Sequence, residues 1–306
     1  MQDLLREALH TDINLLESVN DGLLSHSGKM LRPMLCLLMA RACGTVTRDS
    51  IRFAAATEIL HNATLLHDDV ADQSLERRGE PTVYSRMGAS SAVLVGDFWL
   101  ARAVEVVLEA EGDREVVKLF SKTLTDLAEG EMLQLEKAES ADTDIEAYKR
   151  IIFCKTASLF VAAAASGAFS VSAPEQWREA ASAYAKYAGI AFQIKDDILD
   201  YAGDEALGKP VGIDLQERKI TLPLLCAMQG SGREAQIRAM VRDIPANPGY
   251  ADEIRSFVRE RGGVAKAAQI LDEYIDKAVR SLDVLPDSEA KSYLAELVRY
   301  NALRRV

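Results

Sequence analysis

The stretch "LLHDDVADQSLERRGEP", residues 65–81, places three aspartates within five positions and two arginines shortly after them. Apolar residues lead into the acids at helical spacing, and Gly79-Glu80-Pro81 is a stop signal, so we predict the end of a long helix here. On a helix the first and fifth positions of DDxxD lie one turn apart on one face, with the second beside them. Because Asp68, Asp69 and Asp72 repel one another, a chain that keeps them together is expected to bind a cation.

The same pattern occurs a second time. Residues 195–214 read "KDDILDYAGDEALGKPVGID", in which Asp196, Asp197 and Asp200 repeat the spacing. Each trio ends a long apolar helix and leads into a loop with basic residues and a Gly-Pro turn. One such trio alone would suit a solvated helix end, whereas two in matching context indicate a functional pair.

Six carboxylates are hard oxygen donors, which suit Mg²⁺ bound together with waters and a substrate's phosphate oxygens. Helix C-termini add negative potential that attracts a cation. We therefore predict that the two trios face each other across a cleft and hold metal ions that bridge to a pyrophosphate. Lysine and arginine side chains would bind its outer oxygens.

The composition limits the possible partners. The chain has 306 residues, of which 48% are hydrophobic and 27% charged, with a net charge of −11. A surface this acidic argues against nucleic acid as a partner. The four cysteines lie scattered in apolar runs, the N-terminal stretch does not resemble a signal peptide, and the alanine-rich run 157–173 fits a buried helix better than a transmembrane span. We expect a cytoplasmic protein without a transmembrane segment.

Helical periodicity dominates the chain and strand alternation is nearly absent. We predict one all-α domain, residues 1–306, that forms a bundle of ten or more helices. Two loops, 75–88 and 202–218, are too long for simple turns, and each follows a DDxxD trio. The expected helices are 2–24, 30–43, 48–74, 89–110, 113–138, 144–154, 156–171, 174–201, 219–229, 233–242, 249–261, 263–281 and 287–303.

Further candidates for anion binding precede the first trio. The segment "SGKMLRP" (27–33) places Lys29 and Arg32 at a helix start, where backbone N–H groups favour an anion, although ordinary helix-start charges explain it equally well. His61 lies seven residues before Asp68, two turns along the same helix face.

With these motifs in place, the chain resembles the trans-isoprenyl diphosphate synthases, and most of all their long-chain members of the octaprenyl, heptaprenyl and solanesyl type. The resemblance runs through "GKMLRP", "EILHNATLLHDDVADQSLERRGEPTV", "VLVGDFWLARA", "KTASLF", "FQIKDDILD" and "GKPVGIDLQERKITLPLL". It implies the isoprenoid synthase fold, a helical bundle around a central cavity, usually as a homodimer. It also implies about three Mg²⁺ ions per active site, shared between the two trios.

The resemblance assigns roles position by position. The six aspartates match the metal sites. Lys29, Arg32, His61 and Arg78 match the groups that hold isopentenyl diphosphate. The positions that match the allylic diphosphate site are Arg77, Lys155, Thr156, Gln193, Lys209 and Lys219. Among all these residues, the expected catalytic groups are Asp68, Asp69, Asp72, Asp196, Asp197, Lys155 and Lys209, whereas Asp200 is expected to act only as a metal ligand. Arg304 and Arg305 resemble a basic tail that closes the site in some relatives.

The implied reaction condenses isopentenyl diphosphate head-to-tail (1'-4, trans) onto an allylic diphosphate, with farnesyl or geranylgeranyl diphosphate as the expected primer. In the family, the positions four and five before the first aspartate gate the product length. Here they are the small residues Thr64 and Ala63, which leave the channel open, so a product of C30 or longer is expected.

Three alternatives stay open. A farnesyl or geranylgeranyl diphosphate synthase would give a shorter product, and such short-chain relatives often carry aromatic rings at the two gate positions. A class I terpene cyclase shares the metal-aspartate chemistry, but it has no second diphosphate for Lys29, Arg32, His61 and Arg78 to hold. A non-catalytic subunit of a heteromeric synthase tends to lose an aspartate motif, and both are intact here.

Overall fold

The computed structural model describes residues 1–25, 28–77, 79–110, 114–202 and 212–304. Helix accounts for 79% of the structure, which confirms the all-α class. A two-residue pair of strands, β1 (Glu76–Arg77) and β2 (Glu80–Pro81), interrupts the helices. The helices are α1 (Gln2–Leu9), α2 (Asn14–Ser25), α3 (Leu31–Cys43), α4 (Arg48–Ala71), α5 (Val83–Met87), α6 (Ala89–Leu108), α7 (Arg114–Ser140), α8 (Ile145–Ile152), α9 (Ser158–Ser170), α10 (Glu175–Ala202), α11 (Ile213–Gln216), α12 (Leu222–Met228), α13 (Glu234–Arg242), α14 (Gly249–Glu260), α15 (Gly263–Ser281) and α16 (Glu289–Leu303).

The chain forms two compact units. The first unit consists of Met1–Lys122, Ala162–Ser182 and Val284–Lys291, and the second of Thr123–Val161, Ala183–Asp283 and Ser292–Val306. The first aspartate trio belongs to the first unit and the second trio to the second. The prediction of a single domain around a central cavity stays a prediction.

The predicted helix 2–24 is wrong in its interior, because α1 ends at Leu9 and α2 begins only at Asn14. Side chains of α2 stabilise the break. The Glu17 carboxylate accepts a hydrogen bond from the Thr11 N–H at 3.0 Å, and the Asn20 amide donates to the Leu9 carbonyl at 2.7 Å. The Trp99 indole N–H in turn donates to Asn20 Oδ1 at 2.8 Å. These contacts satisfy polar groups that a continuous helix would pair within itself.

Helix α4 carries the first trio through the first unit. Thr47 caps its N-terminus in a reciprocal pair with Ser50, the arrangement known as a capping box. Helices α3 and α6 both pack on α4. Its side chains are buried on nearly every face from Phe53 to Leu60, as expected for a helix surrounded by others. The helix ends at Ala71, with Asp72 as its C-cap.

In the second unit, the sequence predicted a boundary at Lys155, between helices 144–154 and 156–171. The structure instead continues through one π-helical turn, Phe153–Ala157, closed by a hydrogen bond from the Ser158 N–H to the Phe153 carbonyl. A π turn widens the helix and shifts the side chains on it, and such turns are frequent at functional sites. The predicted boundary therefore marks a distortion of the helix and not its end.

The two long loops contain short elements that the sequence did not predict. The stretch 75–88 holds the β1–β2 pair and α5, and the described part of 202–218 holds α11. One helical stretch, Ile145–Ser170, is long and apolar enough to cross a membrane, but 83% of its apolar window is buried inside the protein. That burial fits the predicted core helix.

Candidate functional site

The first trio combines a buried carboxylate with an exposed one. Asp69 is 5% exposed, and its Oδ1 accepts a hydrogen bond from Arg77 Nε at 2.7 Å. Burial raises the pKa of Asp69, and the Arg77 guanidinium works against that rise. Asp68 is half-buried, while Asp72 is exposed and donates its N–H to the Asp68 carbonyl at 2.8 Å. Asp69 is thus fixed within the protein, and Asp72 lies at the solvent-facing end.

A tight hairpin brings Arg77 back to Asp69. Glu76 pairs with Pro81 and Arg77 with Glu80 across the antiparallel strands. Gly79 has a φ of +82°, a conformation that glycine adopts without strain. The Thr82 hydroxyl donates to the Ser74 carbonyl at 2.7 Å and closes the base of the loop. The first arginine after the trio therefore pairs with the trio's own second aspartate, while Arg78 lies outside the described residues.

The remaining candidates of the first unit lie on α4 and at the start of α3. Ala63 is fully buried, whereas His61 and Thr64 are half-buried. The Thr64 hydroxyl donates to the His61 carbonyl at 2.8 Å. Lys29 is exposed just before α3, and Arg32 is half-buried in its first turn. Since α3 packs on α4, the structure brings these residues and the first trio into one unit.

Asp197 is the most deeply buried acid of the second trio, at 2% exposed. Its Oδ2 accepts a hydrogen bond from the Tyr148 hydroxyl at 2.6 Å, and its Oδ1 accepts one from Gln193 Nε2 at 3.0 Å. Burial raises the pKa of Asp197 to about 6, and the two hydrogen bonds limit that rise. The carboxylate is therefore bonded to the protein through both oxygens.

Asp200 fixes the chain that follows the second trio. Its carboxylate accepts the N–H groups of Ile213 and Asp214, at 3.0 and 3.3 Å, and its carbonyl accepts that of Gly212 at 3.0 Å. Burial is the main cause of the raised pKa of Asp200. Desolvation also raises the pKa of Asp214 well above its ordinary value, and Asp197 and Asp200 add to this effect. Asp214 is thus an additional acid beside the trio that sequence reasoning missed.

Asp196 forms an ion pair with Arg304, which lies near the C-terminal end of the chain. Arg304 Nη2 lies 2.7 Å from Asp196 Oδ1 and also donates to the Phe192 carbonyl at 3.0 Å. Its guanidinium lies over the Phe192 ring, 4.1 Å from the centroid. Arg304 is therefore held on α10 by three contacts, while Arg305 lies outside the described residues.

The π turn presents Lys155 and Thr156. Lys155 forms an ion pair with Glu131 of α7, and the Thr156 hydroxyl donates to Gln193 Oε1 at 2.8 Å. A Cβ added at Gly130 would lie 2.6 Å from Cys154 Cβ and 3.0 Å from Lys155 Cγ, so α7 approaches the π turn closely because Gly130 has no side chain. Glycine here is required by the packing.

Lys219 forms an ion pair with Glu217 and donates its backbone N–H to the Asp214 carbonyl at 2.7 Å. Lys209 lies outside the described residues. Sequence reasoning missed Tyr148 and Glu131 as well as Asp214. Tyr148 had one usable signal, because it lies seven residues, or two helical turns, before Lys155.

The donor set suits a hard divalent cation. Both trios supply carboxylate oxygens, and burial of Asp69, Asp197 and Asp200 disfavours their ionised forms unless a cation is near. Within the described ranges, no three histidine, cysteine or acidic side chains form a group that encloses a metal ion by itself. Mg²⁺ is usually held by one or two carboxylates together with waters and substrate phosphates, and this mode of binding fits the trios.

Several known proteins are similar to this chain over nearly its full length. Residues 13–258 match the family model described as polyprenyl synthetase. The chain is 39% identical to octaprenyl diphosphate synthase of Escherichia coli K12, over 95% of this chain and 90% of that protein. It is 38% identical to the all-trans-nonaprenyl-diphosphate synthase (geranyl-diphosphate specific) of Rhodobacter capsulatus, over 100% and 94%. A polyprenyl synthase from Caulobacter crescentus CB15, solved with calcium and isoprenyl diphosphate, superposes with a TM-score of 0.90 at 34% identity, over 99% and 93%.

Proposed function

Because the chain belongs to the polyprenyl synthetase family, we propose that it joins isopentenyl diphosphate head-to-tail to an allylic diphosphate and repeats the step to a long-chain product. The resemblance drawn from the sequence, the isoprenoid synthase fold and the assignment as a prenyltransferase are confirmed. One observation carries the assignment of roles to residues. Lys155, Thr156, Gln193 and Lys219, which are expected to bind the allylic diphosphate, lie in the same compact unit as the second trio, and Arg77 pairs with Asp69 of the first trio.

The metal sites are the first part of the proposal. The family uses a divalent metal. We assign about three Mg²⁺ ions, held by Asp68, Asp69, Asp72, Asp196, Asp197 and Asp200 together with diphosphate oxygens. When bound, such ions neutralise the charge that develops on a departing diphosphate.

The protein's own cations bind the allylic diphosphate. Arg77, Lys155 and Lys219 are assigned to its oxygens, with Lys209 from the segment outside the described residues. Supporting this role, Lys155 is only 23% exposed and its amine is directed by Glu131, so little side-chain freedom is lost on binding. Thr156 and Gln193 are assigned to the reacting end of the allylic group.

The reaction breaks the allylic C–O bond, and the electron pair leaves with the diphosphate. The isopentenyl double bond then attacks the resulting carbocation, which forms the new C–C bond. A proton is lost from the carbon next to the new cationic centre, and the departed diphosphate accepts it. Lys29, Arg32, His61 and Arg78 are assigned to the isopentenyl diphosphate, because holding both reactants makes the step effectively intramolecular.

The product length is proposed from α4. Ala63 and Thr64 add little bulk one turn before the first trio, so a growing chain can extend along this face. The octaprenyl and nonaprenyl names of the two relatives support a product of C30 or longer. Farnesyl or geranylgeranyl diphosphate is the proposed primer, and the geranyl specificity in the name of the Rhodobacter relative makes geranyl diphosphate the necessary comparison.

A homodimer is proposed as the working form, in the cytoplasm. Within the first unit, Leu94 and Leu108 of α6 are 68% and 61% exposed. Within the second unit, Met132 and Leu135 of α7 are 67% and 46% exposed. Apolar side chains exposed in this way favour a protein partner. Light scattering of the purified protein would measure its mass, and a monomer at micromolar concentration would contradict the dimer.

The test of function is a product assay. Purified protein, incubated alone with isopentenyl diphosphate, Mg²⁺ and geranyl, farnesyl or geranylgeranyl diphosphate, should give polyprenyl diphosphates of C30 or longer on chromatography. Only C15 or C20 would indicate a short-chain synthase, and a hydrocarbon formed without isopentenyl diphosphate would indicate a cyclase. No product from the chain alone would favour the subunit alternative.

Two variants and a control link this activity to the trios. Asp68→Asn and Asp196→Asn each remove one proposed metal ligand and should lower kcat at least about 100-fold. Asp272→Asn changes an exposed acid of α15 and should match the wild type. Unchanged turnover in both site variants would refute the assignment.

A further inference from the structure

We propose that Tyr148 is a positioning residue, which holds the Asp197 carboxylate and, through it, sets the orientation of Gln193 and Thr156 toward the allylic diphosphate. The inference rests on the proposed role of the second trio and the π turn. It concerns three hydrogen bonds in series within the second unit, of 2.6, 3.0 and 2.8 Å. Tyr148 lies at the buried end of this series and Thr156 at the substrate end.

Tyr148 is suited to act as a fixed donor. It is 3% exposed, and a phenol is protonated at neutral pH, so the hydroxyl has a proton to donate. An O–H···O distance of 2.6 Å to Asp197 is typical of a strong bond between a neutral donor and a carboxylate. Rotation of the Asp197 side chain would break this bond, so Tyr148 restrains the carboxylate.

The direction of every later bond follows from that restraint. An ionised carboxylate only accepts hydrogen bonds, so the Gln193 side chain must turn its NH₂ group toward Asp197. The Gln193 carbonyl oxygen is then left to face Thr156, whose single hydroxyl proton is donated to it. Thr156 therefore presents only lone pairs to the reacting end of the allylic group, where positive charge develops. If the amide were reversed, its oxygen would face the carboxylate and the network would lose a bond.

The position of Tyr148 in the chain adds a second link to the same site. Tyr148 belongs to α8, which continues directly into the π turn that carries Lys155 and Thr156. Its bond to Asp197 of α10 spans 49 residues of sequence. The Tyr148 hydroxyl therefore ties the helix that presents Lys155 to the helix that presents the second trio. Loss of the hydroxyl would therefore loosen both the Asp197 carboxylate on α10 and the π turn that carries Lys155.

The experiment compares Tyr148→Phe with Tyr184→Phe. Tyr184 is equally buried in the second unit, and its hydroxyl donates to the Leu294 carbonyl at 2.7 Å, with no bond to the trio. Both variants lose one buried hydrogen bond and should lose thermal stability. Only Tyr148→Phe should raise the KM for farnesyl diphosphate or lower kcat, by roughly 10- to 100-fold, while the KM for isopentenyl diphosphate stays unchanged.

A binding measurement gives a readout that does not need turnover. Calorimetric titration of a non-reactive thiolo analogue of farnesyl diphosphate, with Mg²⁺ present, should show roughly tenfold weaker binding to Tyr148→Phe than to wild type or Tyr184→Phe. Gln193→Leu removes the next hydrogen bonds of the same series, those from Gln193 to Asp197 and from Thr156 to Gln193. Its effect and that of Tyr148→Phe should be strongly non-additive in the double variant, because both act through one network.

Turnover by the wild-type protein tests the proposed function. A rise in the KM for farnesyl diphosphate without a rise in the KM for isopentenyl diphosphate tests this inference, so the proposed function and the inference can fail separately. Equal rises in both KM values, wild-type kinetics in Tyr148→Phe, or additive effects in the double variant would overturn the positioning role. If Tyr148→Phe does not fold, Gln193→Leu alone decides, since an unchanged affinity for the analogue would show that the series does not shape the site.

Discussion

The guanidinium of Arg304 lies 2.7 Å from the carboxylate of Asp196, the first acid of the second trio. The same guanidinium stacks on the ring of Phe192, which lies one turn before Asp196 on α10. The side chain of Arg304 is only 12% exposed. A cation from the C-terminal end of the chain therefore occupies a carboxylate that the proposed function assigns to a metal ion. Arg304 and a divalent cation should compete for Asp196.

Arg304→Ala should consequently bind Mg²⁺ more tightly in the absence of substrate. The expected gain is roughly 2- to 5-fold, the range for a partly exposed ion pair. Calorimetry or equilibrium dialysis with Mg²⁺ would measure it. Arg304→Lys keeps the charge and should remain close to wild type. Weaker Mg²⁺ binding to Arg304→Ala would mean that the arginine supports the metal site and does not compete with it.

Gly130 offers a test of how Lys155 is positioned. In Gly130→Ala the new methyl group would meet Cys154 Cβ at 2.6 Å, so the π turn must move away from α7. A shift of this kind displaces Lys155 and should lower kcat/KM for the allylic substrate by roughly 10- to 100-fold. Steady-state kinetics with the allylic substrate varied would measure the loss.

The matched control is Gly22→Ala in α2, where an added Cβ meets nothing within 4 Å. This variant should keep wild-type kinetics, and its helix should be slightly more stable, because alanine favours helices over glycine. Wild-type kcat/KM in Gly130→Ala would show that the close approach of α7 does not govern Lys155.

The long helices and both trios could be predicted because their signals are local. Apolar periodicity located α4 within a few residues of its bounds, and the DDxxD spacing marked where α4 carries its acids. The break between α1 and α2 could not be predicted, since it depends on Asn20, which bonds to Trp99 at a separation of 79 residues. Amphipathic periodicity continues across such a break.

The residues that hold the second trio in place could not be predicted either, because they also come from distant parts of the sequence. Tyr148 reads as an ordinary core residue of an amphipathic helix, and only the folded chain places its hydroxyl on Asp197. Arg304 likewise meets Phe192 across 112 residues. Sequence spacing identified the residues that bear the chemistry, whereas the residues that orient them come from distant parts of the chain.

Burial of Asp197 predicts a pH dependence of stability. Its pKa is about 6 in the folded protein and about 3.9 in an unfolded chain. The folded state therefore binds the proton more tightly, so this group destabilises the folded protein above pH 6 and does so less as the pH falls toward 4. Asp197→Asn removes the ionisable group and also one of the two hydrogen-bond acceptors, so the pH dependence carries the test: the Tm of the variant minus that of the wild type should be a few degrees larger at pH 7.5 than at pH 5.5.

The measurement is a thermal melt of both proteins in EDTA between about pH 7.5 and 5.5, so that no metal ion binds the carboxylates. Asp69 and Asp200 also have raised pKa values and contribute to both proteins, whereas Asp197 adds to the raised pKa of Asp214, so the substitution relieves Asp214 as well and acts in the same direction. The difference in Tm should therefore shrink as the pH falls through 6. Parallel curves would contradict the raised pKa of Asp197.

Ala63→Phe should shorten the product. Ala63 is fully buried on α4, five residues before Asp68. If the growing chain extends along this helix face as proposed, a phenyl ring at this position reduces the space available to it. Overfilling a packed position also costs about 1–3 kcal/mol of folding stability. Chromatography of the products made from farnesyl diphosphate should show a shift toward C20 and C25, together with a lower Tm.

Ala54→Phe separates the two effects. Ala54 is equally buried on α4 but lies nine residues earlier, and at about 100° per residue it points to the opposite side of the helix. Its phenyl ring should lower Tm to a similar extent and leave the product length unchanged. If both variants shorten the product, a general loosening of α4 is responsible. If neither does, the face of α4 that bears Ala63 does not limit the chain.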